Sequence, residues 1–512
     1  MSESCYRWPM CDAGTMRAFT DADRVAMHDR AFAEHYRHAS DHDGRYDGYF
    51  VTGMPMSETF CRPGCSVRTP RPSQVAFYPV PAAAYAAGLK PCPRCRPDMT
   101  YSAPEGASGD ALGSRALRLI ADGEIDRTGV GGLARRLGVT PRHVLRAVES
   151  AAGCGPLDVA RTLRAHLAML LLASTTIPMQ DVAAAAGFTS VRQFNATIQC
   201  FYGTTPGALR SGGRRAEPSI REAGPLVLRC TLPARRPFDG AALFRFLAES
   251  ALPDVEEFGE TWYARTVRLP RAAGHLRVDV DARGRIMVKL SVLDPRDLAP
   301  LLFRVRRLLD LDADPARVSQ ALGQDPLLSP LVAAHPGMRV PGVVNLDEAL
   351  IRGVVEAQVP TRSARTTLGG LVHALGDPTP WGLLFPTPQR IATDGRAVLR
   401  GPAGLVDGVV RLAEALAADP LAAHWGMRRT DLEGLLVRAA GLSPLAAEGV
   451  IMRALGDHDV LAAADADVRR GATGCGLPEQ TAALLGHSVL WAPWRSYAGM
   501  LLWSAGRQDG GQ

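Results

Sequence analysis

The feature that most constrains the fold of this 512-residue chain is a set of two closely spaced cysteine pairs. Three residues separate Cys61 from Cys65, and two separate Cys92 from Cys95. Each pair can supply two thiolates to one side of a tetrahedral ion, and the intervening loop lets the second pair close the other side. The spacing therefore predicts one zinc ion per chain. No organic cofactor is expected. Spacing alone leaves open whether the site is purely structural or holds a reactive thiolate.

The residues around these cysteines resemble the N-terminal zinc domain of the Ada family of DNA-methylation-response proteins. The resemblance covers about residues 40–100 and is carried by the runs Phe60–Arg68, Val75–Tyr78 and Ala86–Asp98. It implies that Cys61 irreversibly accepts a methyl group from a DNA methylphosphotriester, while the other three cysteines complete the zinc site.

The chemistry of a metal-bound thiolate agrees with this implied role. A cysteine bound to zinc is deprotonated and can attack an electrophilic carbon near neutral pH. Methylation turns that thiolate into a neutral thioether, which removes one negative charge close to a phosphate backbone. The repair reaction is therefore expected to strengthen DNA binding and to act as a switch. The arginines predicted to contact phosphate near the site are Arg62, Arg68, Arg94 and Arg96, of which Arg68 matches the family best.

Composition indicates a chain of several domains in a reducing compartment. Hydrophobic residues make up 46% of the sequence, enough for several cores. Ten cysteines in so long a chain, four of them in a metal pattern, do not suggest a disulfide scaffold. No apolar run reads as a membrane span or a signal peptide, so the expected location is the cytoplasm, without membrane association. Residues 1–39 are expected to be a mobile start followed by a helix around Ala22–Tyr36.

The basic excess lies in the first part of the chain. Residues 1–215 contain 25 Lys and Arg against 19 Asp and Glu, whereas residues 216–512 contain 33 of each. A modest positive excess favours nucleic acid as a partner of that part.

Residues 114–210 carry two helix-turn-helix patterns. In the first, Gly138 ends a helix and Thr140 and Pro141 begin the next. In the second, Gly187 and Ser190 play the corresponding roles. Periodicity alone fits a helical bundle without DNA function equally well. The predicted DNA-contacting residues at the start of the two second helices are Arg142, His143, Arg146, Arg192 and Asn195, with Val191 as a further candidate.

Two local motifs add a resemblance to the DNA-binding domain of AraC-type regulators. They are Gly187-Phe-Thr-Ser190 and Phe201-Tyr-Gly-Thr-Thr-Pro206. The resemblance implies sequence-specific binding to double-stranded DNA and activation of transcription through RNA polymerase.

The remainder is predicted to form strands and one helix, Phe238–Ala251, over residues 226–295, followed by helices over residues 296–506. This part resembles AlkA, the DNA-3-methyladenine glycosylase of the helix-hairpin-helix group, in the runs Glu260–Arg265, His335–Gly342, Phe385–Pro388 and Pro493–Ala498. The resemblance implies that a flipped alkylated base such as 3-methyladenine is excised by hydrolysis of its bond to the sugar. The predicted fold class is multidomain α+β: a small four-cysteine zinc domain, an all-α double helix-turn-helix domain, an AlkA-like α+β sheet subdomain and an all-α helix-hairpin-helix glycosylase core.

The AlkA resemblance assigns the catalytic carboxylate to Asp465, with Asp467 as an alternative. A carboxylate there would stabilise positive charge on the sugar. By type and position alone, either aspartate is an ordinary residue at a helix start. The chain has two lysines, Lys90 and Lys289, and neither lies near Asp465, so no lyase step is expected.

The chain departs from the AlkA pattern in two places. Gly441-Leu442-Ser443 stands where the hairpin normally has glycine at both ends, and Leu445 and Gly449 stand where relatives carry rings. Trp491 or Trp494 is expected to supply an aromatic face for the base instead. Gly441, Ser443 and Gln358 are predicted DNA contacts, with Gln358 at the position that wedges into the duplex.

Together these features predict a nucleoid-associated protein that repairs alkylated DNA and regulates transcription in response. The alternative is a regulator whose C-terminal domain binds DNA with weakened or absent glycosylase activity.

Overall fold

The computed structural model describes residues 30–43, 46–92, 94–95, 97, 111–211, 224–419 and 421–509. Most of both predicted linkers, Tyr101–Gly113 and Ser211–Pro225, and the first part of the helix predicted around Ala22–Tyr36 lie outside these residues. The multidomain α+β fold class is confirmed: a small sheet, a helical region, a larger sheet and a helical core follow one another.

The N-terminal part is a four-stranded sheet flanked by two helices. Its strand order is β3-β1-β2-β4, with β2 and β4 parallel and the other pairs antiparallel. Its elements are helix α1 (Arg30–Ser40), strands β1 (Val51–Met54), β2 (Thr59–Cys61) and β3 (Ala76–Tyr78), helix α2 (Pro81–Ala86) and strand β4 (Lys90–Pro91).

Seven helices follow, and they contain both predicted helix-turn-helix units. They are α3 (Leu112–Ala121), α4 (Glu124–Leu137), α5 (Pro141–Ala152), α6 (Pro156–Ser174), α7 (Met179–Ala185), α8 (Val191–Tyr202) and α9 (Pro206–Ser211). Gly138, at φ 68°, closes α4, and the Thr140 hydroxyl accepts a hydrogen bond from the His143 amide at the start of α5. Ser190 caps α8 in the same way, through the Gln193 amide.

An antiparallel five-stranded sheet of order β5-β9-β8-β7-β6 comes next. Its elements are β5 (Leu226–Leu232), helix α10 (Gly240–Glu249), β6 (Glu256–Phe258), β7 (Trp262–Arg268), β8 (Ala273–Val280) and β9 (Ile286–Val292). The strands alternate apolar and polar residues because one face packs on α10 and α11 while the other is partly exposed.

The C-terminal core is helical apart from the short hairpin formed by β10 (Asp377–Thr379) and β11 (Gly382–Leu384). The helices before and around this hairpin are α11 (Leu298–Leu308), α12 (Pro315–Leu322), α13 (Ser329–Ala334), α14 (Leu346–Glu356), α15 (Thr361–Leu375) and α16 (Pro388–Val398). Those that follow are α17 (Ala403–Ala418), α18 (Arg429–Ala440), α19 (Pro444–Leu455), α20 (Ala466–Gly474), α21 (Thr481–His487) and α22 (Arg495–Asp509). No helix among the described residues combines the length and apolarity that a membrane crossing requires.

The helix-turn-helix region and the C-terminal core share a buried interface. The guanidinium groups of Arg115 and Arg118 on α3 donate to the backbone carbonyls of Gly426 and Trp425 over 2.6 and 2.8 Å. Both arginine side chains are buried, and their apolar neighbours merge with the helical core into one cluster.

Candidate functional site

Four cysteines meet at one edge of the small sheet. Strands β2 and β4 pair in parallel register, so Cys61 at the end of β2 lies beside Cys92, whose amide donates to the Phe60 carbonyl over 2.9 Å. The Sγ atoms of Cys61, Cys65, Cys92 and Cys95 all lie within 4.8 Å of one another. Such a sulfur cluster has the size and donor set of a tetrahedral zinc site.

The ionisation of these thiols also fits a cation. A hydrogen bond to Cys95, burial and the neighbouring sulfurs raise the pKa of the Cys61 thiol. The same hydrogen bond lowers the pKa of Cys95 to about 6. Four thiolates this close repel one another, and Zn²⁺ removes that repulsion while holding all four deprotonated.

The loop between Cys61 and Cys65 is fastened by Asp47. One carboxylate oxygen of Asp47 accepts from the Gly64 amide over 2.7 Å, and the other lies 3.0 Å from the Arg62 guanidinium. Cys61 keeps only 5% of its surface exposed, so its sulfur lies just beneath this loop. The Arg68 side chain is exposed.

The two remaining phosphate contacts predicted near the zinc site are Arg94 and Arg96. Arg94 is exposed, whereas Arg96 lies outside the described residues.

The predicted DNA-contacting residues of the helix-turn-helix units lie on exposed helix surfaces. Arg142, His143 and Arg146 are exposed along α5, while Val144 and Val148 point into the core. Arg192 and Asn195 are exposed on α8. Each second helix therefore presents polar and cationic groups outward and apolar ones inward, as a helix entering the major groove must.

An acidic cavity of about 380 Å³ lies among α10, α14, α19 and α22. Asp465, the residue before α20, lines the cavity, and so does Asp467 in the first turn of α20. Five carboxylates and three guanidinium groups line the cavity, which leaves an excess of two negative charges. A site of this charge is complementary to a cationic ligand.

The two aspartates differ in their ion pairs and hydrogen bonds. Asp467 is ion-paired with Arg470 and Arg507, over 2.7 and 3.3 Å. Asp465 accepts from the amides of Asp467 and Val468 as the N-cap of α20, and no described cation pairs with it. Although the residue is exposed to the cavity, desolvation by the surrounding atoms first, and the nearby charge of Asp467 second, raise the pKa of Asp465. Asp465 is therefore the carboxylate available to a ligand.

Aromatic side chains line the cavity, but not those expected from the sequence. Phe246 on α10 and Trp503 on α22 lie in edge contact, with ring centroids 4.8 Å apart. Trp491 is 1% exposed, and its indole donates to Asp325 over 2.7 Å. Trp494 packs against Tyr497. Neither Trp491 nor Trp494 is among the residues lining the cavity. The aromatic residues that line it are Phe246, Trp503 and the fully buried Tyr263.

The remaining predicted residues lie around this cavity or on the adjoining surface. Leu445 and Gly449 line the cavity, and a Cβ added at Gly449 would meet only the Ala462 methyl group, at 3.7 Å. Gln358 is exposed just after α14.

The hairpin joins α18 to α19. Gly441, at φ 71°, ends α18, and the Ser443 hydroxyl caps α19 by accepting from the Ala446 amide over 3.2 Å. Both are exposed, whereas Leu442 between them is buried. The serine therefore replaces the second glycine of the pattern as a helix cap.

Comparison with known proteins identifies the parts of the chain. The metal binding domain of Ada matches residues 34–98, a helix-turn-helix domain matches residues 133–212, and the AlkA N-terminal domain matches residues 229–345. A protein of Mycobacterium tuberculosis called a probable bifunctional transcriptional activator/DNA repair enzyme AlkA is 40% identical over 484 residues, which cover 93% of this chain and 97% of that protein. The chain belongs to this family of bifunctional activator/repair enzymes.

Relatives of the individual parts resemble the AlkA-type chain over shorter spans. The Escherichia coli DNA-3-methyladenine glycosylase 2 is 28% identical over 281 residues, covering 53% of this chain and 96% of that enzyme. The Escherichia coli bifunctional transcriptional activator/DNA repair enzyme Ada is 32% identical over 114 residues, covering 22% of this chain and 31% of that protein. The resemblances to Ada, AraC-type and AlkA proteins predicted from the motifs are thereby confirmed.

In this family member the Ada-type metal-binding domain carries the zinc ligands Cys61, Cys65, Cys92 and Cys95. Phe246 and Trp503 were missed from the sequence. Each lies on a helix with other apolar residues, so its type and spacing give no sign that one edge of the ring faces a cavity.

Proposed function

We propose that this protein is a three-part alkylation-damage response protein. Its zinc domain accepts methyl groups from DNA, its helix-turn-helix region binds promoter DNA and recruits RNA polymerase, and its C-terminal part excises 3-methyladenine. The observation that carries the proposal is the presence, in one chain, of an Ada-type thiolate cluster and a net-negative cavity with an aspartate that no described cation pairs.

Cys61 is the proposed methyl acceptor. Its sulfur attacks the methyl carbon of a methylphosphotriester, the S–C bond forms as the C–O bond breaks, and the phosphate oxygen keeps the bonding electrons. The products are a thioether on Cys61 and an ordinary phosphodiester. The loop held by Asp47 covers Cys61 and carries Arg62, which lies within reach of a flanking phosphate once its pairing with Asp47 is exchanged.

The switch is tested by DNA affinity before and after exposure to methylphosphotriester DNA. The loss of one negative charge should raise the affinity, most at low salt. Cys61→Ala should show no rise, while the matched variant Cys475→Ala should behave as the parent because Cys475 lies in the helical core. Equal responses from the parent and Cys61→Ala would contradict the assignment.

Asp465 is the proposed catalytic carboxylate of the glycosylase. A cationic alkylated base leaves with the electrons of its bond to the sugar and becomes neutral. The Asp465 carboxylate stabilises the positive charge that develops on the sugar, water adds to the anomeric carbon, and its proton passes to Asp465 or to solvent. Phe246 and Trp503 offer ring surfaces to the flipped base.

The paired test is release of 3-methyladenine by Asp465→Asn and Asp467→Asn proteins. The first variant should lose at least about 10²-fold in rate, as removal of a group that stabilises transition-state charge does. The second should retain most activity because Asp467 is already paired with Arg470 and Arg507. Leu445 and Gly449 favour the alternative of a regulator with a weakened glycosylase; absence of release by the parent would select that alternative.

The proposed place of action is the cytoplasm, at the nucleoid. No disulfide joins any of the eight described cysteines, which is compatible with a reducing compartment.

A further inference from the structure

The carboxylates that line the cavity differ in whether an arginine hydrogen-bonds them. Glu256 and Glu348 are fully tied into a buried network, in which Arg265 bonds both oxygens of Glu348 at 2.7 Å and Arg352 bonds Glu256 at 2.8 Å. Asp467 is held by Arg470 and Arg507. Two cavity carboxylates, Asp465 and Glu356, have no hydrogen bond to a cation among the described residues.

Glu356 lies at the end of α14, between two arginines that do not close on it. Its carboxylate oxygens are 3.7 Å from the Arg352 Nε and 3.8 Å from an Arg453 terminal nitrogen, both too long for hydrogen bonds. Glu356 Oε1 has no hydrogen-bond partner in the described part of the chain, and neither has the Nε of Arg453. Buried polar groups are normally satisfied, so these two atoms beside the cavity are able to form a further hydrogen bond.

Glu356 lines the same cavity as the aromatic rings proposed to contact the flipped base. The Arg453 guanidinium lies over the Phe246 ring, 5.2 Å from its centroid, and Phe246 contacts Trp503. The Glu356 side chain is 25% exposed, and all four residues line the same cavity.

We propose that Glu356 is a specificity-determining residue that binds the positively charged ring of the flipped base. The proposal rests on the base pocket described above. Asp465 then stabilises positive charge on the sugar, and Glu356 binds the ring of the base. Because the two flanking arginines pair with Glu356 without hydrogen-bonding it, a cationic base can add a charge-assisted hydrogen bond to its carboxylate. A neutral base gains less from the same carboxylate and is selected against.

The experiment compares a cationic with a neutral substrate in one protein sample. Release of 7-methylguanine and of hypoxanthine is measured for the parent, for Glu356→Gln and for the control Glu257→Gln, whose side chain is exposed on β6. Glu356→Gln should lower the ratio of cationic to neutral release about tenfold, as loss of a charge-assisted contact does. The ratio does not depend on how much of the sample is folded. Glu257→Gln should keep the parent ratio.

A binding measurement separates this inference from the glycosylase assignment. Affinities for duplexes containing 7-methylguanine or hypoxanthine are compared in Asp465→Asn protein with and without Glu356→Gln. The 7-methylguanine preference should fall about tenfold when Glu356 is changed, whatever the catalytic rate. An unchanged ratio in both experiments would overturn the role of Glu356. A parent that binds with this preference but releases no base would overturn the catalytic proposal alone.

Discussion

At the scale of single residues, the chemistry depends on acidic side chains held in environments that disfavour their charge. Asp465 is exposed to the cavity beside Asp467, and desolvation by the surrounding atoms, followed by the Asp467 charge, raises the pKa of Asp465 above its ordinary value. Base excision needs the ionised form. The rate should therefore fall as the pH is lowered through this raised pKa, at a higher pH than for an unperturbed aspartate.

The measurement is the single-turnover rate of hypoxanthine release as a function of pH, because the hypoxanthine in the substrate is neutral near neutral pH and its own charge does not change there. We expect the rate of the parent and of Asp467→Asn to fall as the pH is lowered. A fall only at the pH where an ordinary carboxylate titrates would contradict the assignment of Asp465.

The same raised pKa predicts a stability gain on neutralising Asp465. A carboxyl group whose pKa is raised in the folded state stabilises the fold when protonated, and that contribution is lost as pH rises through the folded pKa. At neutral pH, Asp465→Asn should raise the free energy of unfolding by no more than about 0.5 kcal/mol, because solvent screens the exposed carboxylate and asparagine still caps α20 without the charge. Urea unfolding measures it; a destabilised variant would show that the ionised carboxylate is held by contacts beyond the cap.

Sequence reasoning was strongest for residues with a distinctive chemical type. Cysteine spacing led directly to the cluster of Cys61, Cys65, Cys92 and Cys95, since a thiolate set has few other uses in such a pattern. It was weakest for Trp491 and Trp503, because a tryptophan in an apolar helix face reads the same whether it borders a cavity or fills the core. The role of Asp465 stays a prediction that its geometry supports.

At the scale of elements, the position of Asp465 depends on two helices that cross at their glycines. A Cβ added at Gly506 on α22 would lie 2.1 Å from the Asp467 carbonyl oxygen, and one added at Gly471 on α20 would lie 1.9 Å from the Leu502 carbonyl oxygen. Only glycine allows this approach, which brings the start of α20 beside Trp503.

Gly506→Ala should push α20 and α22 apart. We expect a loss of about 1–3 kcal/mol in unfolding free energy, as for other overpacked sites, together with reduced base excision. Gly486→Ala is the matched control, since a Cβ there meets nothing within 4 Å in α21. Urea unfolding and 3-methyladenine release check both variants; unaltered stability of Gly506→Ala would contradict the close crossing.

Local patterns were enough to predict most elements, and the reasons are visible in β9 and α8. Alternation in β9 and the Ser190 cap of α8 are short-range signals. The parallel pairing of β2 with β4 was not predicted, because two strands of three and two residues carry no register information of their own.

At the scale of the whole molecule, the helix-turn-helix region and the glycosylase core form one packed body. Arg118 is buried and donates to the Trp425 carbonyl, and Arg304 pairs with Asp122 over 3.1 Å. This docking could not be predicted from the sequence, because an arginine buried between domains has no sequence feature that distinguishes it from an exposed arginine.

The docking predicts that one arginine substitution affects stability and another affects DNA binding. Arg118→Ala should lower the free energy of unfolding by about 1–3 kcal/mol, because it leaves a buried carbonyl without its donor, and should leave phosphate contacts intact. Arg142→Ala, on an exposed helix, should leave stability within about 0.5 kcal/mol and weaken DNA binding with a smaller salt dependence. Urea unfolding and salt-dependent DNA binding separate the two; a stable Arg118→Ala protein would contradict the shared body.

One thiolate of the zinc cluster is proposed to accept methyl groups from damaged DNA in the same chain that excises bases. Peptide mass spectrometry after incubation with methylphosphotriester DNA locates the accepted methyl group. We expect one added methyl group, located on Cys61 and absent when DNA is unmethylated. A methyl group on Cys65, Cys92 or Cys95 instead, or no modified cysteine in a zinc-loaded sample, would contradict it.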